Sequence, residues 1–163
     1  MLLLCVVSVF LAALAAPALS RLLGRNAGWP LAGVLLAVAA LIAFVARDGL
    51  VEQSFEWMPT LGITLALRLD GLALVFSLLV LVVGAAVLAY STRYLHRGRH
   101  SSFYALMTLF AAVMLLLVMA DDVVVMFVAW EATTLCSFFL ISRSGDAARE
   151  PAIRTLLVTA LGG

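Results

Sequence analysis

The chain contains no lysine; all ten of its basic residues are arginine. Arginine does not release its proton under ordinary conditions, so a lysine-type proton carrier is excluded within these residues. Cysteine is also scarce. Cys5 and Cys136 lie far apart inside apolar runs, which gives neither a disulfide framework nor a metal-ligand spacing. Both read as small buried hydrophobes. Charge is the third deficit. Only 12% of the residues are charged and 66% are hydrophobic, against about 25% and 45–50% in a soluble domain. A chain of 163 residues cannot hide that much apolar surface from water, so it is an integral membrane protein. A net charge of +1 excludes a nucleic-acid partner. There is no P-loop, dinucleotide fingerprint or nucleophile elbow. No cofactor and no metal are expected, and no internal repeat is present.

What is present is a series of long apolar runs. A spanning helix needs roughly 20 apolar residues at about 1.5 Å each. The first run is Leu2 to Leu19. Its ending, ALAAPALS, also fits a signal-peptide cleavage site. Yet no basic residue precedes the run, while Arg21 and Arg25 follow it, a charge order that favours a retained helix with its N-terminus outside. The second span is Trp29 to Ala46, followed by a polar segment from Arg47 to Glu56. Pro59 and Gly62 then punctuate a turn. Beyond it, Ile63, Leu65, Leu67 and Leu69 alternate with Thr64, Ala66, Arg68 and Asp70. That period of two predicts a strand-like or hairpin segment resting on the membrane surface.

The third span is Leu72 to Leu95. The next apolar stretch, Phe103 to Ile141, is too long for one crossing. Asp121 and Asp122 are expensive in hydrocarbon and divide it at an interfacial turn. A fourth span, Phe103 to Ala120, and a fifth, Val123 to Ser142, result. Pro151 is a natural helix start, and the run from Ala152 to Gly163 is too short to cross alone. The expected fold class is an all-α integral membrane protein: five transmembrane helices, a truncated sixth, and a short external hairpin-like segment between helices 2 and 3. With the N-terminus outside, Arg21, Arg25, Arg93, Arg97, Arg99, Arg143 and Arg149 fall in cytoplasmic loops, with Arg154 just beyond. Arg47 and Arg68 fall on the other side. This satisfies the positive-inside rule.

The candidate site is Glu131, within FVAWEATTLCSFFLI. As the ninth residue of its span it lies roughly 12 Å below the outer end. A charged side chain near the midplane costs about 3 kcal/mol on translocon scales. No arginine or histidine lies within a helical turn of it; Thr134 can offer a hydroxyl. Low dielectric disfavours the ion, and a carboxyl inclined to neutrality can load and release protons. The functional reading is a proton relay; the bland one is a protonated carboxyl gluing helices together. Ala129, Ala132, Thr133, Cys136 and Ser137 are small, so the span should pack inside a bundle.

Weaker candidates have plainer readings. His96 and His100 have metal-compatible i,i+4 spacing but sit in an arginine-rich loop. Arg68 and Asp70 are interfacial. Asp121 and Asp122 form a hydrophilic turn or a cation funnel. Tyr90, Tyr94 and Trp57 are interface-belt aromatics.

Several stretches together carry a family resemblance. LGITLALRLDGLALVF resembles the start of the third helix of antiporter-like subunits. FYALMTLFAAVMLLLVMADDVVVMFVAWEATTLCSFFLI resembles their fourth and fifth helices, and IRTLLVTALGG the start of their sixth. These subunits serve Mrp-type multisubunit Na+/H+ antiporters and the proton-pumping arm of respiratory complex I. Thr133, Ser137 and Phe138, in the pattern W-E-x-T-x-x-x-S-F, are more similar to the Mrp large A subunit than to the complex I chain 5 homologue. The resemblance implies two regions, a helical hairpin over 1–56 and an antiporter-like region over 57–163. It implies that Glu131 is the fifth-helix glutamate of a proton pathway, paired in the family with a lysine on a later helix, and that Arg154 stands near a position often basic in relatives. It also implies partners: other subunits of a multisubunit antiporter, the lipid bilayer, protons and monovalent cations. Expected is a secondary ion transporter subunit rather than an enzyme. The alternatives are a proton-pumping subunit of an NADH-quinone oxidoreductase and a non-transporting truncated remnant.

Overall fold

The computed structural model describes residues 1–58, 63–94, 100–143 and 148–162. The elements in chain order are α1 (Leu2–Leu23), α2 (Gly28–Val45), β1 (Val51–Met58), β2 (Ile63–Leu69), α3 (Gly71–Tyr94), α4 (His100–Met119), α5 (Val123–Ser142) and α6 (Arg149–Gly162). Four stretches are long and apolar enough to cross a membrane: Leu2–Val45, Gly71–Tyr94, Ser101–Met119 and Val123–Ser142. The first has 44 residues, about twice the length one crossing needs. It holds both α1 and α2. Gly24 at φ 59° and a 3-10 turn over Gly24–Ala27 separate them. The chain is thus a multi-pass, mostly helical membrane protein with a small two-stranded sheet.

Apolar length makes these helices; small residues let them pack. α1 buries Leu2, Cys5, Val9, Ala13 and Ala16 at helical spacing and packs chiefly on α4. Pro17 lies inside α1 without ending it. Leu2, Val9 and Ala16 are buried in the core. α2 packs chiefly on α3, and glycines set the approach. A Cβ on Gly84 would stand 3.2 Å from Leu35 Cδ1 and 3.6 Å from Ala111 Cβ, so α2, α3 and α4 meet there. α4 also carries α5, and α5 carries α6.

The alternating segment is a strand, as its period predicts. β2 pairs antiparallel with β1, Val51 opposite Leu69 and Phe55 opposite Leu65, with an irregularity between Glu56 and Met58. The partner strand β1 runs through the stretch that the sequence presents only as polar. The hairpin also does more than rest on a surface. Leu67 and Leu69 are fully buried in the main core, while Arg68 between them is exposed.

Hydrogen bonds tie one end of the bundle to this hairpin. Gln53 Oε1 accepts from the Met1 ammonium at 2.9 Å and from the Leu3 amide at 3.2 Å. The Asp121 amide donates to the Ala66 carbonyl at 2.9 Å. Asp70 caps α3 by accepting from the Ala73 amide at 2.8 Å. At the opposite end, buried Tyr104 of α4 donates its hydroxyl to the Arg25 carbonyl at 2.6 Å, which pins the α1–α2 turn. Arg21, Arg25, Arg93 and Arg143 all fall at this second, arginine-rich end, since each lies at an element boundary there.

Candidate functional site

α5 positions Glu131, and Asp122 starts α5. Asp122 is extended (φ −111°, ψ 133°) and its side chain accepts from the Val124 amide at 2.8 Å and the Val125 amide at 3.1 Å. This is an N-cap, which satisfies first-turn donors. The Asp121–Asp122 turn therefore lies where the apolar run is interrupted. Its two residues have distinct tasks: Asp121 bonds the hairpin through its backbone, and Asp122 caps the helix.

From that cap, Glu131 comes about 13.5 Å along the axis. Val125, Ala129 and Cys136 form a buried stripe at spacings of four and seven, and α5 lies on α4. Glu131 is off that stripe and half-buried. Its helical neighbours Phe127, Val128 and Leu135 are all about half exposed (50%, 48% and 49%), so the carboxylate stands on an open apolar face. Among the described residues, no ion pair or hydrogen bond reaches it. The Thr134 hydroxyl does not serve it either. Thr134 and Thr133 both turn back on the Trp130 carbonyl, at 3.3 Å and 2.7 Å, and Ser137 turns back on the Thr133 carbonyl at 2.9 Å. Each hydroxyl is satisfied inside its own helix, the usual solution in a solvent without donors.

The other candidates separate. Arg68 pairs with Glu52 at 3.6 Å and with Asp70 at 3.9 Å, all substantially exposed, an interfacial cluster of small energetic weight. Arg68, Asp70 and Asp121 border a cavity of about 380 Å³ at the hairpin end, which Phe76 and Val118 complete. Arg154 is exposed and paired with Glu150 at 2.6 Å; α6 starts at Arg149, two residues before Pro151. Tyr90 and Tyr94 stack at 6.1 Å and are exposed, as belt aromatics are. His96, the turn at Pro59 and Gly62, and the side chains of Trp57 and His100 lie outside the described residues. No group of three His, Cys, Asp or Glu that could hold a metal occurs among the described residues. Gln53 and Gly28 are structural anchors that sequence reasoning missed. A lone glutamine in a strand and one glycine near a helix start carry no pattern that would single them out.

Comparison with known proteins now bears on the site. The family model for the N-terminus of chain 5 of NADH-ubiquinone oxidoreductase (complex I) matches residues 57–105. The chain is 38% identical over 152 residues to a Staphylococcus aureus (strain JH9) protein named as an antiporter subunit, mnhA2, a match covering 88% of this chain and 19% of that one. The solved structure of the Mrp complex from Dietzia sp. DQ12-45-1b contains a chain that superposes with a TM-score of 0.95 at 56% identity, over 99% of this chain and 18% of that one. The chain is thus similar in sequence to an antiporter subunit, and in sequence and fold to a chain of the Mrp complex. It spans about a fifth of the length of the curated relatives it matches. The similarity to the Mrp complex chain covers α1 and α2 as well as the stretch that the complex I model matches.

Proposed function

We propose that these residues form the antiporter-like N-terminal region of a proton-translocating subunit in a multisubunit Na+/H+ antiporter, with Glu131 as its proton relay. One observation carries the reading: a half-buried carboxylate near mid-span, on an open apolar face, with no partner among the described residues. Lipid is a poor neighbour for that group, and intramembrane carboxylates face protein or internal water. A basic group facing Glu131 across that side, of the kind the family carries on a later helix, completes an acid–base pair through which a proton passes reversibly. The partners are the other subunits of such a complex.

The same reading gives α1 to α5 one crossing each and makes α6 the start of a sixth. Residues 1–56 act as a helical hairpin ahead of the antiporter-like region 57–163. The N-terminus and the hairpin are outside, supported by the bias of arginines to the opposite end. A membrane-impermeant maleimide applied to intact cells labels Ser54→Cys if this is right; labelling only after lysis reverses the orientation.

The test of the relay is Glu131→Gln in the assembled complex, with Na+/H+ exchange followed in vesicles by a pH-sensitive dye. Exchange is lost while assembly persists. Retained exchange removes Glu131 from the mechanism. The match to the complex I family model over residues 57–105 favours a second reading, a proton-pumping subunit of an NADH-quinone oxidoreductase. Proton uptake driven by NADH, and not by a Na+ gradient, selects it.

A further inference from the structure

Two hydroxyls of α5 crowd one carbonyl beside Glu131. The Trp130 carbonyl oxygen accepts from the Thr133 hydroxyl at 2.7 Å and from the Thr134 hydroxyl at 3.3 Å. Inside a helix that oxygen also faces the amide four residues on, here that of Thr134 itself. A carbonyl oxygen has two lone pairs. Three donors therefore compete for two sites. The Thr134 hydroxyl is the surplus one, because 3.3 Å lies at the long, weak end of the range and 2.7 Å does not.

Spacing decides where that hydroxyl can go. Residues three and four apart on a helix are neighbours. Around Glu131 those positions are Phe127, Val128, Thr134 and Leu135, so only Thr134 brings a side-chain donor. Thr133 stands two residues away, a spacing that does not face it. Ser137 is engaged on the Thr133 carbonyl at 2.9 Å. A helical side chain leans toward the N-terminus of its helix, which sets Thr134 over the turn of Trp130 and Glu131. Threonine divides between two rotamers in helices, so one bond rotation re-aims its hydroxyl. Thr134 is buried, away from competing water.

Glu131 needs such a donor in only one of its states. Ionised, a carboxylate is acceptor-only, and a charge without a bonded partner in a low-dielectric medium is expensive. Protonated, it carries its own donor.

We propose that Thr134 is the positioning residue of the Glu131 relay: its hydroxyl donates to the carboxylate once the proton has left and returns to the Trp130 carbonyl when the proton is back. The inference rests on the reading of Glu131 as a proton relay. No covalent bond changes at Thr134; the proton passes between Glu131 and the basic group facing it. The crowded carbonyl keeps the donor at hand without holding it tightly.

The test is Na+/H+ exchange by the assembled complex in vesicles. Thr134→Val keeps the shape and removes the hydroxyl; exchange slows about tenfold, the effect of one lost hydrogen bond to a charged group. Thr134→Ser restores most of the rate. Ser137→Ala, which removes a hydroxyl engaged elsewhere on the same helix, leaves it unchanged. Thr134→Ala gives the same reading as the valine variant should the latter fail to assemble. Infrared difference spectra between acid and alkaline samples, with Glu131→Gln as the blank, show the ionised Glu131 band displaced in Thr134→Val and the protonated band in place. Wild-type exchange in Thr134→Val, a Thr134→Ser variant as slow as the valine one, an equal loss in Ser137→Ala, or an undisplaced ionised band overturns the proposal. Exchange retained in Glu131→Gln removes the relay reading and this inference with it. Exchange lost in Glu131→Gln but intact in Thr134→Val removes this inference alone.

Discussion

Gly28 of α2 lies directly against the carbonyl oxygen of Leu88 on α3. A Cβ at Gly28 would overlap that oxygen and stand 2.6 Å from Thr92 Cγ2 and 3.0 Å from the Tyr104 ring. The backbones of α2 and α3 can approach this closely only because the side chain is absent, as at other small-residue crossings in membranes.

Gly28→Ala is therefore expected to destabilise the protein by about 1–3 kcal/mol, the range for overpacking. Gly33, on the same helix, has nothing within 4 Å of its would-be Cβ. Gly33→Ala should be neutral or stabilising by about 0.5–1 kcal/mol. Denaturant titration of both variants in detergent reads the contrast; equal stabilities would mean that the α2–α3 crossing is looser than described.

Asp122→Ala removes the acceptor for the Val124 and Val125 amides. A lost N-cap costs about 1 kcal/mol. Hydrogen exchange at these two amides should accelerate, and Asp122→Asn should restore most of the protection. Unchanged exchange would show that water satisfies the turn equally well.

Tyr104→Phe deletes the hydroxyl that bonds the Arg25 carbonyl across the bundle. Tyr104 is fully buried, so the carbonyl loses a partner without easy replacement. A loss of about 1 kcal/mol is expected, with faster exchange confined to the turn over Gly24–Ala27. Loosening spread over the whole of α4 would assign Tyr104 a packing role and not a pinning one.

Glu131→Leu separates a relay from an adhesive. A carboxyl with apolar neighbours and no bonded partner among the described residues adds nothing to the fold. Its replacement should raise the stability of the isolated chain by up to about 3 kcal/mol on insertion scales. Exchange in the intact complex should disappear with it. A Leu variant that unfolds more readily would mark Glu131 as a helix-joining residue after all.

Helix positions were legible because hydrocarbon acts on each run separately. The charges at Arg47, Arg93 and Asp121–Asp122 stand within a few residues of the ends of α2, α3 and α4. β2 announced itself through Leu65, Leu67 and Leu69. β1 did not: Glu52, Gln53 and Ser54 pair through backbone groups and show no apolar alternation. The position of Glu131 along α5 followed from counting residues. That Thr134 would bond Trp130 and leave the carboxylate alone did not, because the choice is made by local rotamers.

The amino-acid order alone determined the solvent, the approximate length of each apolar helix and how far along α5 Glu131 stands. These are properties of a single helix measured against the thickness of a bilayer. Only the tertiary structure decided that α1 lies on α4, that Gln53 holds the N-terminus, and that Glu131 shares an open face with Phe127 and Leu135. Lipid tails are as apolar as leucine, so both faces of a membrane helix look alike in sequence. Shape complementarity between distant segments then selects the face, and no local pattern records it.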